Sequence, residues 1–296
     1  MILFAVFCAS LIGVSSISRA DADDPSHNQK KNIVLIAGKK SHGPENNGIH
    51  DYPWMIRYLK AALEKSSVGN QLDVSIHFDD WPSSDEPIKS ADAIVIISDG
   101  RDGDNGREAP HLASDDRLVL MDEAMDRGCG LMVVHFSTFA PDALSDRVLE
   151  WQGGYFDWEN DGKREWYSQI QTVDALVRPA HDTHPTLNGV KAFTMNDEFY
   201  FDIRFPENDR WTPILEVPGL PALKSHGHVV SWAIQRQNGG RGYGTTCGHF
   251  YNNFQNQHFR KSILNAIVWC ARLDVPYQGV NASFMSMDQV DSYLND

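Results

Sequence analysis

The sequence predicts an α/β fold with a doubly wound, mostly parallel sheet. Short, continuous runs of branched apolar residues recur in the first half of the chain, which is typical of strands covered on both faces. Segments with helical spacing of apolar residues separate these runs. The second half instead contains alternating polar and apolar residues and a hairpin signal, which predict antiparallel strands added to the sheet.

The first half of the chain alternates predicted strands with predicted helices. The segment 52–66 has apolar residues at spacings of three and four, and Pro53 occupies a first-turn position where proline is tolerated. In the segment 114–128, Ser114 can cap the start of a helix and Gly128 can close it. The predicted strands are residues 33–37 ("IVLIA"), 72–78 ("LDVSIHF"), 91–98 ("ADAIVIIS") and 130–135 ("GLMVVH").

The second half of the chain changes to antiparallel patterns. Residues 168–177 alternate polar and apolar side chains, and residues 193–201 ("FTMNDEFYF") are strand-like. Residues 228–250 predict two strands joined by a turn at 238–240 ("NGG"). A closing helix over 256–273 carries an apolar stripe that we expect to pack on the sheet. The stripe consists of Phe259, Ile263, Ile267 and Cys270.

Composition and charge restrict the class of protein. The 296 residues include 40 acidic and 26 basic side chains, and the formal net charge is −14. Basic residues occur in runs no longer than a pair such as Lys30-Lys31, so nucleic acid is not an expected partner. We expect one domain over residues 32–276, because no linker interrupts it, and a weakly patterned C-terminal tail over 277–296.

The N-terminus predicts export. Residues 1–20 form an apolar stretch that is too short to span a bilayer and ends in Ser-Arg-Ala, which fits the small-residue rule for a signal peptide. Residues 21–31 resemble a flexible linker. Cys8 raises the alternative of a lipoprotein, but the bulky Phe7 before it is a poor match to a lipobox. A periplasmic or extracellular location without a membrane span is therefore expected.

The ends of the predicted parallel strands indicate where a site would lie. In open α/β sheets, ligands bind outside the carboxyl ends of the strands. His42 and His50 lie in the loop after the first strand, Asp99 lies in the loop after the third, and His135 ends the fourth. These side chains are therefore candidates for one site.

His135 is the most informative of these residues, because it ends an otherwise apolar strand. One interpretation is a structural histidine that is hydrogen-bonded to a backbone carbonyl group. The other is an acid/base group or a ligand, since functional side chains collect at strand ends.

Further candidates lie in the second half. Asp197 and Glu198 are neighbours on a predicted strand, so at most one of them should face the crevice. Cys247 and His249 could form a thiol/imidazole pair. The remaining cysteines, Cys129 and Cys270, are interpreted as core residues. Three histidines and a carboxylate from separate loops could also bind a divalent metal, although no H-E-x-x-H spacing supports it.

Aromatic residues are concentrated in segments 151–167 and 249–254, and they suggest rings for sugar faces, although most such rings simply pack. The segment "GGRGYG" precedes a predicted strand instead of opening a helix, so it is rejected as a dinucleotide-binding motif.

Taken in order, several motifs resemble the ThuA-like (trehalose utilisation) family of the class I glutamine amidotransferase-like superfamily. The resemblance covers roughly residues 32–273. It rests on the first strand with His42, on "GLMVVH" with His135, on "HPTLNGV" (184–190), on "NDEFYF" (196–201) and on "GGRGYGTTCGHF" (239–250) followed by "ILNAIVW" (263–269).

The resemblance implies a flavodoxin-like sheet and places His135 where glutamine amidotransferases carry a nucleophilic cysteine. Because a histidine cannot form that acyl-enzyme, glutaminase chemistry is not expected. The resemblance also implies a carbohydrate substrate, a disaccharide or a 3-keto sugar. A ketone beside C–H and O–H groups suits acid/base or metal-assisted chemistry.

These observations give two hypotheses: an exported enzyme of carbohydrate catabolism, and a non-catalytic sugar-binding module that has lost the nucleophile. The predicted catalytic residues are His42, His135, His249, Asp197 and Glu198. The predicted substrate-binding residues are His50, Asp99, Tyr200 and Arg241. The candidate ligands of a divalent metal are His42, His135 and His249.

Overall fold

The structure is a computed structural model that describes residues 29–44, 46–100, 109–159, 162–181 and 183–295. The expected signal peptide and most of the expected linker lie outside these residues, as does the segment 101–108 of the loop after the third strand.

Nine strands form one mixed sheet. Their order in the sheet is β2-β1-β3-β4-β9-β8-β7-β5-β6. The strands are β1 (Lys31–Ala37), β2 (Leu72–His77), β3 (Ala93–Ile97), β4 (Gly130–Val134), β5 (Gln169–Pro179), β6 (Phe193–Phe201), β7 (Trp211–Glu216), β8 (Val229–Gln235) and β9 (Arg241–Thr245). The helices are α1 (Tyr52–Glu64), α2 (Glu86–Ser90), α3 (Asp115–Asp126), α4 (Ser145–Gln152), α5 (Gln257–Cys270) and α6 (Met287–Asn295).

The sheet has a parallel part and an antiparallel part. Strands β2, β1, β3, β4 and β9 pair in parallel. From β9 onward, the pairings to β8, β7, β5 and β6 are antiparallel. The predicted α/β class and the antiparallel additions are thus confirmed. The order 2-1-3-4 with β9 in the fifth position is consistent with a flavodoxin-like sheet.

Both faces of the parallel strands are buried. On β1, Ile33 and Leu35 belong to a core that includes residues of α1 and α5. Val34 and Ile36 belong to a second core that includes residues of α3 and α4. Burial on both faces explains why β1 is a continuous apolar run without alternation. None of the helices in the described ranges has the length and apolar character needed to cross a membrane.

The chain beyond residue 276 contains a helix that the sequence pattern did not indicate. The side chain of Val290 in α6 is fully buried in the core that includes α1. Tyr293 Oη donates to Glu64 Oε2 at 3.0 Å, and Arg57 forms an ion pair with Asp291 at 2.6 Å. The described part of the expected tail, residues 277–295, thus contributes a helix that packs on the core.

Candidate functional site

The turn after β4 places His135 at the carboxyl edge of the sheet. His135 has a φ of 55°, a conformation that costs a non-glycine residue roughly 1–3 kcal/mol. Two hydroxyl groups hold this turn. Ser137 Oγ accepts the N–H of Val134 at 2.9 Å, and Thr138 Oγ1 donates to the carbonyl oxygen of His135 at 2.6 Å. The hydroxyl residues after β4 therefore stabilise a sharp turn that presents the imidazole.

Two loops bring further histidines to the same place. His50 lies in the loop after β1, and His249 lies in the loop after β9. The N–H of His50 donates to the carbonyl oxygen of His249 at 3.2 Å, and an antiparallel bridge joins Ile49 to Phe250. This backbone pairing fixes the two histidines relative to one another.

Three imidazole nitrogens meet at the centre of the site. His135 Nε2 lies 2.9 Å from His50 Nε2 and 3.1 Å from His249 Nδ1. His50 Nε2 lies 2.9 Å from His249 Nδ1. Glu198 Oε2 completes the group at 3.3 Å from His249 Nδ1 and 3.6 Å from His135 Nε2. We refer to His50, His135, Glu198 and His249 as the histidine–glutamate cluster.

The four side chains of the cluster differ in exposure. The His135 and His50 side chains are 0% and 2% exposed, whereas those of His249 and Glu198 are 11% and 23% exposed. The cluster therefore opens to solvent on the side of Glu198 and His249.

Tyr200 lies beside the cluster. Its Oη lies 2.8 Å from His135 Nε2 and 3.2 Å from Glu198 Oε2. The residue is almost fully buried. Burial and the nearby Glu198 carboxylate raise the pKa of Tyr200 well above its ordinary value, so the phenol remains protonated and donates.

Asp197 has a separate task from its neighbour Glu198, as expected for adjacent residues on a strand. Its fully buried carboxylate accepts the N–H groups of Gly248 at 2.8 Å and His249 at 3.1 Å. Gly248 has a φ of 121°, which favours glycine. Asp197 therefore holds the loop that carries His249 and does not enter the cluster.

The outer nitrogens of two cluster histidines fix their tautomers. His135 Nδ1 lies 2.7 Å from the carbonyl oxygen of Thr246, which can only accept, so Nδ1 carries the proton and Nε2 presents a lone pair. His50 Nδ1 lies 2.8 Å from Tyr52 Oη. The hydroxyl groups of Tyr52 and Ser41 both donate to Asp99 Oδ1, so they can only accept from His50 Nδ1. His50 Nδ1 therefore carries the proton, and its Nε2 presents a lone pair to the cluster.

Burial and neighbouring charges shift the acidity of the cluster. Burial lowers the pKa of His50 from 6.5 to about 4, and the nearby His135 and His249 act in the same direction. For Glu198, burial opposes ionisation, but hydrogen bonds with His135 and His249 outweigh it and hold the pKa of the carboxyl well below its usual range. Glu198 is thus ionised and His50 is neutral at neutral pH.

His42 lies outside the histidine–glutamate cluster, although the sequence pointed to it ahead of His50. Its ring is 4.1 Å from that of His50, and its Nδ1 lies 2.8 Å from Ser41 Oγ. The His42 side chain is exposed. His42 is grouped with His50 and Asp99, whose ligand atoms lie within 4.8 Å of one another on the outer side of the cluster.

Arg241 and Cys247 do not belong to the site. Arg241 begins β9, about 13 Å of strand before Thr245, and donates to the carbonyl oxygen of Trp269 at 2.7 Å. Because β9 runs parallel to β4, this amino end of β9 lies at the opposite edge of the sheet from His135. Cys247 is fully buried in the hydrophobic core, and burial raises the pKa of its thiol well above the ordinary value, which disfavours a thiolate nucleophile.

The cysteines in the described part of the chain, Cys129, Cys247 and Cys270, are free and buried. This confirms the interpretation of Cys129 and Cys270 as core residues.

Aromatic rings extend away from the cluster. The Phe136 ring is half-buried and lies 5.7 Å from that of His50 and 4.5 Å from that of Phe139. Phe139 stacks on Phe156 at 3.7 Å, and the half-buried Trp158 lies 6.0 Å from Phe156. Residues of segment 151–167 therefore form part of an aromatic wall, but only Phe136 and Trp158 in this row are open to solvent.

Sequence reasoning did not find Ser41, Tyr52 and Thr246, which orient the cluster histidines through hydroxyl and carbonyl groups. Their contacts depend on the folded paths of three loops, and a hydroxyl residue in a loop carries no distinctive sequence signal. The one available signal is position, because Ser41 and Tyr52 flank the two histidines of the first loop.

Comparisons with known proteins agree with this architecture. The family model named ThuA, described as trehalose utilisation, matches residues 34–270. A comparison with curated proteins found no match.

Three solved structures are similar in fold. A ThuA-like protein from Bacteroides uniformis ATCC 8492 has a TM-score of 0.59 and 15% identity, covering 83% of this chain and 94% of that one. A ThuA-like protein from Parabacteroides merdae ATCC 43184 has a TM-score of 0.56 and 17% identity, covering 88% and 99%. A cytoplasmic protein from Salmonella typhimurium LT2 has a TM-score of 0.50 and 14% identity, covering 81% and 97%. At these identities the likeness concerns the fold alone.

Proposed function

Because the chain belongs to the ThuA, or trehalose utilisation, family, we propose that it is an enzyme of carbohydrate catabolism that acts on a disaccharide or a 3-keto sugar. The observation that carries this proposal is the meeting of three imidazole nitrogens and a carboxylate at the end of β4. Polar side chains that converge in this way, beside a row of rings, are what a reactive site for a polar substrate requires.

The chemistry follows from which groups a substrate can reach. A sugar ring that enters from the open side meets Glu198, His249 and His42, while His50 and His135 lie behind them. His42 is the exposed imidazole, and we assign it the removal of a proton from the carbon beside the ketone. The electron pair of that C–H bond forms the new C=C bond, and the π pair of the carbonyl group moves onto its oxygen atom. When the C=C bond reverts, the carbon takes up a proton or deuteron from solvent.

The residue at the end of β4 argues against glutaminase chemistry. His135 holds the strained turn that a nucleophile would occupy, and it is fully buried. An acyl-enzyme needs a nucleophile that the substrate can reach. We therefore assign His135 to positioning the cluster, not to direct attack on the substrate.

The proposal is tested with trehalose, other glucose disaccharides and their 3-keto derivatives in D₂O. We expect deuterium to enter the position beside the ketone, followed by a product, and nuclear magnetic resonance detects both. Enzyme with His42→Gln should bind the sugar and exchange more slowly. If no sugar in this panel exchanges a proton or changes, the enzymatic proposal fails.

A non-catalytic sugar-binding module is the second candidate, and the aromatic wall favours it. Phe136 and Trp158 are only half-buried, so part of each aromatic side chain is open to contact with a sugar. Calorimetry with the same sugars separates the two functions. Saturable binding that weakens in Phe136→Ala, without exchange or product in the wild-type protein, identifies the module.

We also propose that residues 1–20 direct export of the protein. The expected result is a mature chain that begins at Asp21 and is recovered from the periplasm or the medium. Mass spectrometry of the N-terminal peptide measures this directly. Recovery of an uncleaved chain from the cytoplasm of the source cell contradicts the proposal.

A further inference from the structure

We propose that the histidine–glutamate cluster binds one divalent transition-metal ion through His50 Nε2, His135 Nε2, His249 Nδ1 and a Glu198 carboxylate oxygen. This inference deepens the proposed function and rests on it only for the use of the ion in catalysis.

Hydrogen bonding alone does not account for the nitrogen–nitrogen contacts. His50 Nε2 and His135 Nε2 both present lone pairs at 2.9 Å from one another, because their protons lie on Nδ1. His249 Nδ1 carries at most one proton, which can occupy one of its two contacts with these atoms. At least two of the three contacts therefore lack a hydrogen in the neutral cluster.

A positive charge at the centre resolves this conflict. A metal ion needs the lone pairs that the tautomers provide. Three nitrogen atoms 2.9–3.1 Å apart can each lie about 2.1 Å from one ion, the usual distance between zinc and an imidazole nitrogen.

The surroundings of the cluster are those of a metal site. In such sites the outer nitrogen of each ligating histidine donates to a carbonyl group, a carboxylate or another polar partner, which fixes the ring. Here the carbonyl of Thr246 performs this task for His135, and Tyr52 and Asp99 surround His50 Nδ1. The carboxylates of Glu198 and Asp99 supply negative charge that balances a divalent ion.

The donor set indicates the class of ion. Three imidazoles and one carboxylate suit zinc, iron(II), cobalt(II) or nickel(II), whereas magnesium and calcium prefer sets made of oxygen atoms. The position of His42 differs from the sequence prediction, because its exposed ring lies outside the group of four.

The first test uses the wild-type protein without a histidine tag, stripped by a chelator and then titrated with Zn²⁺ and Co²⁺. We expect one ion per chain, a visible absorption band for bound Co²⁺, and an X-ray absorption spectrum with about three imidazole ligands for bound Zn²⁺. Mg²⁺ should not compete. Failure of the folded wild-type protein to bind either ion, or a spectrum without imidazole ligands, overturns the inference.

Variants then assign the ion to these residues. Glu198→Gln and His135→Gly should abolish stoichiometric binding, and glycine suits the positive φ of residue 135. Asp99→Asn, which alters only the surroundings of His50, should weaken binding by about 10–100-fold. His42→Gln is the control and should keep one ion per chain. Unchanged stoichiometry in folded Glu198→Gln and His135→Gly proteins contradicts the proposed ligands.

The two proposals fail in different ways. If the stripped protein still turns over a sugar and binds no ion, the metal inference is wrong and the proposed function stands. If the ion binds to the four residues but no sugar exchanges a proton, the metal site stands and the proposed function is wrong.

Discussion

Burial divides the histidines of the site into two groups. His50 and His135 are enclosed and hydrogen-bonded on their outer nitrogens, so they position the cluster. His42 is exposed, and in the proposed mechanism it moves a proton between substrate and solvent. The buried histidines are therefore expected to hold the cluster in place and the exposed one to transfer protons. Substitutions should separate these two roles.

We expect His42→Gln to lower turnover by about 10²–10⁴-fold, the usual contribution of a general acid or base, with little change in melting temperature because the side chain is exposed. Turnover rates and thermal melting curves of the two proteins measure this. His181→Gln, an exposed histidine remote from the cluster in sequence, is the matched control and should leave both unchanged. Equal activity in His42→Gln and wild type removes His42 from the mechanism.

Asp197→Asn tests a positioning residue. The buried carboxylate accepts two N–H groups from the loop that carries His249, and the amide nitrogen of asparagine would face one of them with a second donor. We expect a loss of unfolding free energy of about 1–3 kcal/mol and a lower kcat. Denaturant unfolding and steady-state kinetics measure the two effects.

If Asp197 has only a structural role, the substitution lowers the free energy of unfolding but leaves the kcat of the folded protein unchanged. Normal stability and normal kcat together contradict the assignment of Asp197 to the His249 loop.

At the level of elements, α6 shows how a short helix joins the core. Its nine residues bury Val290 against the core that includes α1, and two polar contacts to Arg57 and Glu64 flank that side chain. Helices of this length are marginal alone, so tertiary packing provides their stability.

Val290→Ala should therefore lower the free energy of unfolding by about 1–2.5 kcal/mol, the loss expected for removing buried methyl groups. Urea denaturation of the two proteins gives the value. Ser292→Ala, an exposed change on the same helix, is the control and should have an effect near zero. If the two substitutions have equal effects, α6 does not pack as described.

Sequence patterns predicted the elements whose residues are buried on two faces. The strands β1, β3 and β4 are continuous apolar runs, and their ends correctly located the rim where the cluster lies. The strand β7 was missed, since Pro213 lies within it, and α6 was missed because one fully buried residue makes a weak pattern.

Within the site, periodicity could not rank His42 against His50. Both histidines lie in one loop with positive φ values of 60° and 45°, and only the pairing of that loop with residues 248–251 turns His50 inward. The sequence wrongly assigned Arg241 to the site. Arg241 begins β9, and only the parallel pairing of β9 with β4 shows that this end of the strand lies far from His135. A local sequence pattern does not reveal that pairing.

For the whole molecule, buried neutral histidines make stability depend on pH. Burial lowers the pKa of His184 from 6.5 to about 4, and its Nδ1 accepts the N–H of Thr186 at 3.3 Å. The unfolded chain binds a proton below about pH 6.5, whereas the folded chain does so only below about pH 4. This histidine therefore lowers stability as the pH falls from about 6.5 to about 4.

His184→Gln removes this titration and keeps an acceptor for Thr186. The free energy of unfolding of both proteins should fall between about pH 7.5 and about pH 4.5. We expect this fall to be smaller in the variant by on the order of 2 kcal/mol. Chemical denaturation at the two pH values provides the comparison. An identical pH dependence in both proteins shows that His184 does not titrate in this range.

The backbone pairing of the loops that carry His50 and His249 has a consequence for the order of folding. The two histidines are separated by 199 positions in the chain, and Glu198 and His135 come from still other elements. Contacts of such long sequence separation form late, because each closes a large loop. A folding intermediate that lacks β9 cannot assemble the cluster. A ligand held by the cluster would therefore bind only the completed fold and would shift the folding equilibrium toward the folded state.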